Sequence, residues 1–439
     1  MNYEETIDYL YGRLPMFTRD GASAFKKDLA NTYRLCEALG NPQERFKSIH
    51  IAGTNGKGST SHMLAAILQQ SGYKTGLYTS PHLLDFRERI RTDGTMIPEA
   101  WVAGFVSDLQ PLIEQVQPSF FEVTVAMAFA FFAEKKVDVA VVETGLGGRL
   151  DSTNIITPLL SIITNIGYDH TAMLGNTLAE IAGEKAGIMK PGVSAVVGER
   201  QTAVEGVFER VAAEKGSPLL FASDQWQVDN KGRDGLRLHL GVRRKDAVED
   251  VCYDLDLTGS YQAKNLPAVL CAVEELRRRD FSIADSDVYD ALAHVQQLTG
   301  LMGRWQTVAT HPLIICDTGH NVDGWREVLI NIATTPHETL HVVFGMMRDK
   351  EPGLILPMLP KDADYYFCQV AMPRALPAEE LRSAAADHGL VGDAYATVGE
   401  ALTAARRSAS AADLIFIGGS TFIVADALGA EDFRQYPSA

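Results

Sequence analysis

The chain has 439 residues, enough for two or three domains of ordinary size, and its 46% hydrophobic and 22% charged content excludes disordered, collagenous and coiled-coil classes. Lys plus Arg number 40 against 56 Asp plus Glu, a formal net charge of −16, which argues against nucleic acid or an anionic membrane surface as partner. A small anionic substrate is not excluded, because a local cationic loop can hold a phosphate against a screened global field.

Five cysteines, Cys36, Cys252, Cys271, Cys316 and Cys368, show no CxxC spacing, so neither a disulfide framework nor a zinc ribbon is expected. A reducing, cytoplasmic compartment follows. No basic-then-apolar leader opens the sequence, and the longest apolar run, Val123 to Ala133, is too short to cross a bilayer.

After an amphipathic helical opening through Leu39-Gly40, short β-branched runs alternate with helical segments. These are Ser48–Ala52, Thr75–Thr79, Val137–Glu143, Leu160–Ile166 and Ser194–Val197. Near-continuous apolar character predicts strands covered on both faces of a mostly parallel sheet. Alternation from Trp226 to Leu257 around Asp229–Gly235 predicts an antiparallel ribbon at the sheet's edge, followed by a helix from about Gln262 to Arg279. A second βα series starts near residue 300, with strands at Leu313–Asp317, Leu340–Phe344, Tyr365–Val370 and Leu414–Gly418, and the Ala-rich stretch 401–412 reads as a helix. The expected fold class is α/β: a P-loop-containing, mostly parallel sheet domain at 1–299, then a smaller Rossmann-like α/β domain at 300–439.

The strongest local signal is Gly53, Thr54, Asn55, Gly56, Lys57, Gly58 and Ser59, between a strand and an amphipathic helix. Glycines there let backbone N–H groups converge on phosphate, the helix N-terminus adds positive potential, and Lys57 supplies a full charge. Polar residues end the neighbouring strands: Ser80, then Glu143 followed by Gly145-Leu-Gly-Gly148, then Asp169-His170. A hydroxyl, a carboxylate and an imidazole near a phosphate loop suit Mg²⁺, which takes few protein ligands and completes its shell with phosphate and water. Lys185, in a small-residue helix, reads on physics alone as a solvated head group. In the second series, Gly303-Arg304, Asp317-Thr-Gly-His320-Asn321, Phe344-Gly345 with Arg348-Asp349-Lys350, and Gly418-Gly419-Ser420 border apolar strands and together favour a binding face.

Taken together, these residues resemble the folylpolyglutamate synthase and dihydrofolate synthase family, within the ATP-dependent ligases that include the Mur cell-wall enzymes. The resemblance runs through His50-Ile-Ala-Gly-Thr-Asn-Gly-Lys-Gly-Ser59, Thr79-Ser-Pro-His-Leu83, Phe121-Glu122, Glu143 to Asn154, Asp169-His170, Glu184-Lys-Ala-Gly-Ile188, Asp317 to Asn321 and Gly419-Ser420. It implies ATP-dependent amide formation through an acyl phosphate, with dihydropteroate or a reduced folate as the acid and L-glutamate as the amine. It further implies two Mg²⁺ sites, one held by Ser80 and Glu143, the other by His170 and by Lys185 carried as a carbamate. By the same resemblance Lys57, His170 and Lys185 serve the chemistry. Asn265, Arg304 and Asp317 contact the nucleotide along with the loop. Ser119, Phe121 and Asp151 lie against the pterin, and His320 and Ser420 receive glutamate. A monomer with no nucleic-acid or membrane partner is expected. Two departures from the family pattern, Met302-Gly-Arg304 for Pro-Gly-Arg and Asp317-Thr-Gly-His-Asn321 for Asp-Gly-Ala-His-Asn, fall on hinge and loop backbone. The rivals are a ligase of the same superfamily acting on another acid and a nucleotide-binding scaffold without catalysis.

Overall fold

β-branched runs flanked by turn residues become short, deeply buried strands. The computed structural model describes residues 1–21, 26, 28–348, 350 and 352–430, so Asp349 of the 348–350 cluster lies outside the described residues. The chain divides into two compact units, 1–256 with 262–300, and 257–261 with 301–439.

The first unit is built on eight strands: β1 (Lys47–Ala52), β2 (Thr75–Tyr78), β3 (Ile90–Thr92), β4 (Thr95–Met96), β5 (Val139–Glu143), β6 (Leu160–Ile163), β7 (Ser194–Val197) and β8 (Leu219–Phe221). Their order is β4-β3-β2-β5-β1-β6-β7-β8. All pairs from β2 to β8 are parallel, and only β3 and β4 run against their neighbours. The register sets Ile51 beside Glu143 and Ala52 beside Ile163, so the ends of β1, β5 and β6 open onto one edge. The helix Phe120–Lys135 starts at Ser119, whose side chain and that of Glu122 form a reciprocal capping box. It is apolar nearly all round and buried in the core with Tyr78, Phe86 and Ile90.

The expected ribbon is instead a sheet of its own, β9 (Trp226–Arg233), β10 (Leu238–Arg244) and β11 (Val251–Leu255), in the order β11-β10-β9 with antiparallel pairing. No strand of the eight pairs with it; β9 packs against the helix Gln262–Arg277. A half-buried antiparallel face looks the same in sequence whether it extends a sheet or lies on a helix, because the alternation is identical.

The second unit has β12 (Gln306–Thr310), β13 (Leu313–Cys316), β14 (Leu340–Phe344), β15 (Asp364–Phe367), β16 (Gly392–Ala394) and β17 (Leu414–Gly418), ordered β12-β13-β17-β14-β15-β16. β12 is antiparallel to β13 and the other pairs are parallel. Its core is aromatic: Phe416 stacks on Trp305 and meets Trp325 edge-on, each with ring centroids 5.8 Å apart. No helix of the described residues is long and apolar enough to cross a membrane.

Truncating Phe416 removes a ring that two indoles pack upon. Phe416→Ala is expected to cost the second unit about 3–5 kcal/mol. Urea unfolding followed by tryptophan fluorescence reads this as an early transition for that unit, whereas an unshifted midpoint would contradict the packing role.

Candidate active site

From β1 the chain passes through Gly53, Thr54, Asn55 and Gly56 into the helix Lys57–Gln70. Gly53 has φ of +151°, and a Cβ there would fall on the Thr164 hydroxyl at the end of β6, so only glycine lets the loop lie this close. The same threonine donates from Oγ1 to the Asn55 carbonyl at 2.6 Å. Thr54 N donates to the Asn165 carbonyl at 3.0 Å, and Asn55 N to Asn165 Oδ1 at 3.0 Å. Gly56, at φ +84°, caps the helix against the side-chain oxygen of Asn265. Asn265 donates to Gln262 Oε1 at 2.8 Å, and Gln262 donates to Ser59 Oγ at 3.1 Å. The loop is thus fixed on both sides, and its helix N-terminus is a ready anion site.

Lys57 Nζ folds back on the carbonyls of Gly53 and Thr54 at 3.2 and 3.3 Å. Lys185 is not the solvated lysine its neighbours suggest. It is 4% exposed, and Nζ donates to the Gly53 carbonyl at 2.8 Å. Burial, then the positive charge of Lys57, pushes its amine down from 10.5 to about 7, while Asp169 and Asp151 oppose that shift. The structure therefore brings two lysines of distant sequence onto one loop carbonyl.

Glu143 ends β5, is buried, and accepts Ser80 N at 3.2 Å, which ties the loop after β2 to the end of β5. Asp169 Oδ1 accepts His170 N at 2.9 Å, and the His170 ring lies 3.8 Å from the other carboxylate oxygen. Among the described residues no group of three His, Cys, Asp or Glu side chains forms a complete metal cage.

Of the residues expected against a pterin, Ser119 caps a helix by accepting Glu122 N at 3.2 Å, and Asp151 braces a loop. Asp151 accepts Leu146 N at 2.8 Å, Thr153 N at 3.0 Å and the Thr153 hydroxyl, and burial raises its pKa above the usual carboxylate value. Phe121 is half-buried, with its ring on Gly145 and 6.2 Å from that of Tyr78. Thr164, Asn165 and Gln262 were invisible as loop supports in the sequence; the only signal was a hydroxyl and an amide at the end of β6.

In the second unit, Asp317 follows β13 and is fully engaged. Oδ2 accepts the Tyr261 hydroxyl at 2.6 Å and Trp305 N at 2.7 Å, and Oδ1 accepts Gly319 N at 2.8 Å. Burial raises its pKa, against those donors and the charge of Arg304. His320 Nδ1 lies 3.0 Å from the Thr318 carbonyl, Asn321 caps the helix Val322–Ala333, and Ser420 caps the helix Thr421–Gly429. These residues gather at the C-terminal ends of the parallel strands β13 and β17.

A parallel sheet with a glycine-lysine loop in the first unit, and a second parallel sheet with capped strand ends, define a ligase of the Mur type. The Mur ligase middle domain model matches residues 51–273, and the Mur ligase glutamate ligase domain model matches 303–421. The dihydrofolate synthase/folylpolyglutamate synthase of Bacillus subtilis is 34% identical over 87% of this chain and 88% of its own. The chain spans half the length of another relative, the probable bifunctional folylpolyglutamate synthase/dihydropteroate synthase of Haloferax volcanii, at 33% identity over 97% of this chain. Among solved structures, Escherichia coli FolC in complex with DHPP and ADP superposes with a TM-score of 0.86 at 28% identity, covering 99% of both chains. The Yersinia pestis bifunctional folylpolyglutamate synthase/dihydrofolate synthase with Mn, AMPPNP and L-glutamate bound gives 0.81 at 28% identity, covering 98% of this chain and 97% of that one. The chain belongs to the dihydrofolate synthase/folylpolyglutamate synthase family of ATP-dependent glutamate ligases.

Lys185 makes stability pH-dependent in a definite direction. Between about pH 7 and pH 10.5 the unfolded chain holds a proton that the folded site has released, so the penalty for burying this amine is largest near neutrality and fades as pH rises. In CO₂-free buffer, Lys185→Met is expected to melt above the native chain at about pH 7.5, with the gap closing toward about pH 10. Calorimetry that found no gap at the lower pH would contradict the burial of an amine at this site.

Proposed function

We propose that this chain joins L-glutamate to the carboxylate of dihydropteroate, or to the terminal glutamate of a reduced folate, at the expense of ATP. The observation that carries it is the meeting of Lys57 and Lys185 on the Gly53 carbonyl, at the sheet edge where Glu143 also ends. The charge of Lys57 and the N–H groups of the helix start suit a polyphosphate and an attacking carboxylate, two anions that repel each other in water.

In the chemistry proposed, a carboxylate oxygen of the acid attacks the γ-phosphorus and ADP leaves. The amino group of glutamate then attacks the acyl carbon, and inorganic phosphate departs with the electron pair of the broken C–O bond. Backbone N–H groups of Gly56 to Ser59 bind phosphate oxygens, and Lys57 swings from its loop carbonyls to neutralise them. The loop's tethers to Thr164, Asn165 and Asn265 hold those donors in place before substrate arrives. Arg304 and Asp317 are assigned to the nucleotide, His320 and Ser420 to glutamate, and Phe121 to the pterin. Ser119 and Asp151 are assigned to the pterin with it: the Ser119 Oγ accepts Glu122 N and keeps its proton to donate, and Asp151 holds the loop from Leu146 to Thr153.

Oxygen and imidazole donors without a complete protein cage fit Mg²⁺, which keeps water and phosphate in its shell. We assign one ion to Ser80 and Glu143 and a second to His170 and a carbamate on Lys185; bound there, Mg²⁺ supplies charge neutralisation for the phosphates. An amine held near pH 7 is largely unprotonated under mild conditions, the form that adds CO₂. The protein is taken to act as a cytoplasmic monomer.

Purified protein offered dihydropteroate and tetrahydrofolate separately, with ATP, Mg²⁺ and labelled L-glutamate, is expected to give products heavier by one or more glutamyl units; ATP turnover with neither acid incorporated would favour a ligase for another substrate. Lys57→Ala is expected to lower kcat by about 10²–10³ with an unchanged melting temperature, and wild-type kcat in that variant would remove the loop from the chemistry. ¹³C-labelled bicarbonate should give a carbamate resonance that Lys185→Arg abolishes, and its absence from native protein in non-acidic, CO₂-buffered solution would exclude the carbamate.

A further inference from the structure

Arg89 closes the short 3-10 turn Phe86–Arg89 and is only 6% exposed. A buried guanidinium normally rests on a carboxylate, because an unpaired charge in a low-dielectric interior is costly. The two acids beside it in sequence, Asp85 and Glu88, are already taken. Asp85 is bonded through both oxygens by Arg87 and accepts the Tyr3 hydroxyl. Glu88 accepts the backbone N–H groups of residues 83, 84 and 85.

Among the described residues, Arg89's side chain makes one hydrogen bond, from Nε to His82 Nδ1 at 2.7 Å. Since Nδ1 accepts, the imidazole proton sits on Nε2, which donates to the Tyr11 hydroxyl at 3.1 Å. The guanidinium carbon stands 5.2 Å from the centroid of the Phe120 ring. The fork is therefore held by an imidazole and an aromatic face, while its two terminal nitrogens have no acceptor among the described residues. Its surroundings are those of the proposed acid site: Thr79 N donates to the Arg89 carbonyl at 3.1 Å, one residue before Ser80, and Phe120 lies between Ser119 and Phe121.

We propose that Arg89 is a substrate-binding, specificity-determining residue whose free fork takes a carboxylate of the pteroyl or folyl acid, with His82 and Tyr11 as its positioning residues. The inference rests on the ligase function proposed above and names the group that selects its acid. A planar fork with two parallel N–H donors matches a carboxylate bidentately, and the buried Phe120 ring beneath it holds the guanidinium plane in place. An uncharged analogue of the same shape would leave the buried cation unanswered, which is how a site rejects a near-isostere.

The test is equilibrium binding, by calorimetry, of dihydropteroate and of its primary carboxamide, each with a non-hydrolysable ATP analogue present. Wild type is expected to prefer the acid about ten- to hundredfold, and Arg89→Gln to lose that preference while binding the nucleotide analogue as before. Arg89→Lys, which keeps the charge and loses the fork, should fall between them, and serves if the glutamine variant does not fold. Full acid preference in either variant, with nucleotide binding intact, overturns the role of Arg89 and leaves the ligase function standing. A wild type that binds neither pteroyl compound, and no tetrahydrofolate in the same titration, overturns the folate ligase function, and this inference with it.

Discussion

Gly53 and Thr164 meet without room for a methyl group, and the geometry of the first unit's site follows from that contact. β1 and β6 are adjacent parallel strands, so their C-terminal ends are neighbours by register. The missing side chain at 53 lets the loop after β1 fold across the end of β6, where Thr164 and Asn165 take up Asn55 and Thr54. This turns the Gly53 carbonyl toward Lys57 and Lys185. Enlarging residue 53 would therefore disturb the support for both amines.

That arrangement explains how an acidic protein handles anionic substrates. The formal charge of −16 is a property of the whole surface, screened within about 10 Å at ordinary salt. The site we propose acts at shorter range, through backbone N–H groups at a helix start and the charge of Lys57 close to the loop. Burial, and then repulsion from Lys57, makes the Lys185 amine lose its proton more easily. The cationic fork of Arg89 is likewise set apart from the acidic surface by the engagement of Asp85 and Glu88 elsewhere.

Much of the fold was legible because parallel strands buried on both faces announce themselves as apolar runs. β1, β2, β5, β6, β7, β13, β14, β15 and β17 all fall on such runs. The hairpin β3–β4 and the strands β12 and β16 escaped because they are edge or near-edge pieces with mixed polarity, and β8 because it is an edge strand of only three residues; there hydrogen bonding to a neighbour, not local pattern, creates the strand. The phosphate loop was readable since glycine and lysine at a strand-to-helix turn have a local meaning. Lys185 was not, because its burial depends on a contact 132 residues away in sequence. Arg89 was silent for the same reason: an arginine's want of a partner is visible only once its neighbours are seen to be taken.

The central claim is that the acid is activated by phosphoryl transfer at the loop fixed by Gly53. Dihydropteroate labelled with ¹⁸O in both carboxylate oxygens, turned over with ATP and L-glutamate, tests it through the mass of the released phosphate. Direct attack of the carboxylate on the γ-phosphorus predicts one ¹⁸O in each inorganic phosphate formed and one retained in the amide. Unlabelled phosphate accompanying amide formation would contradict it.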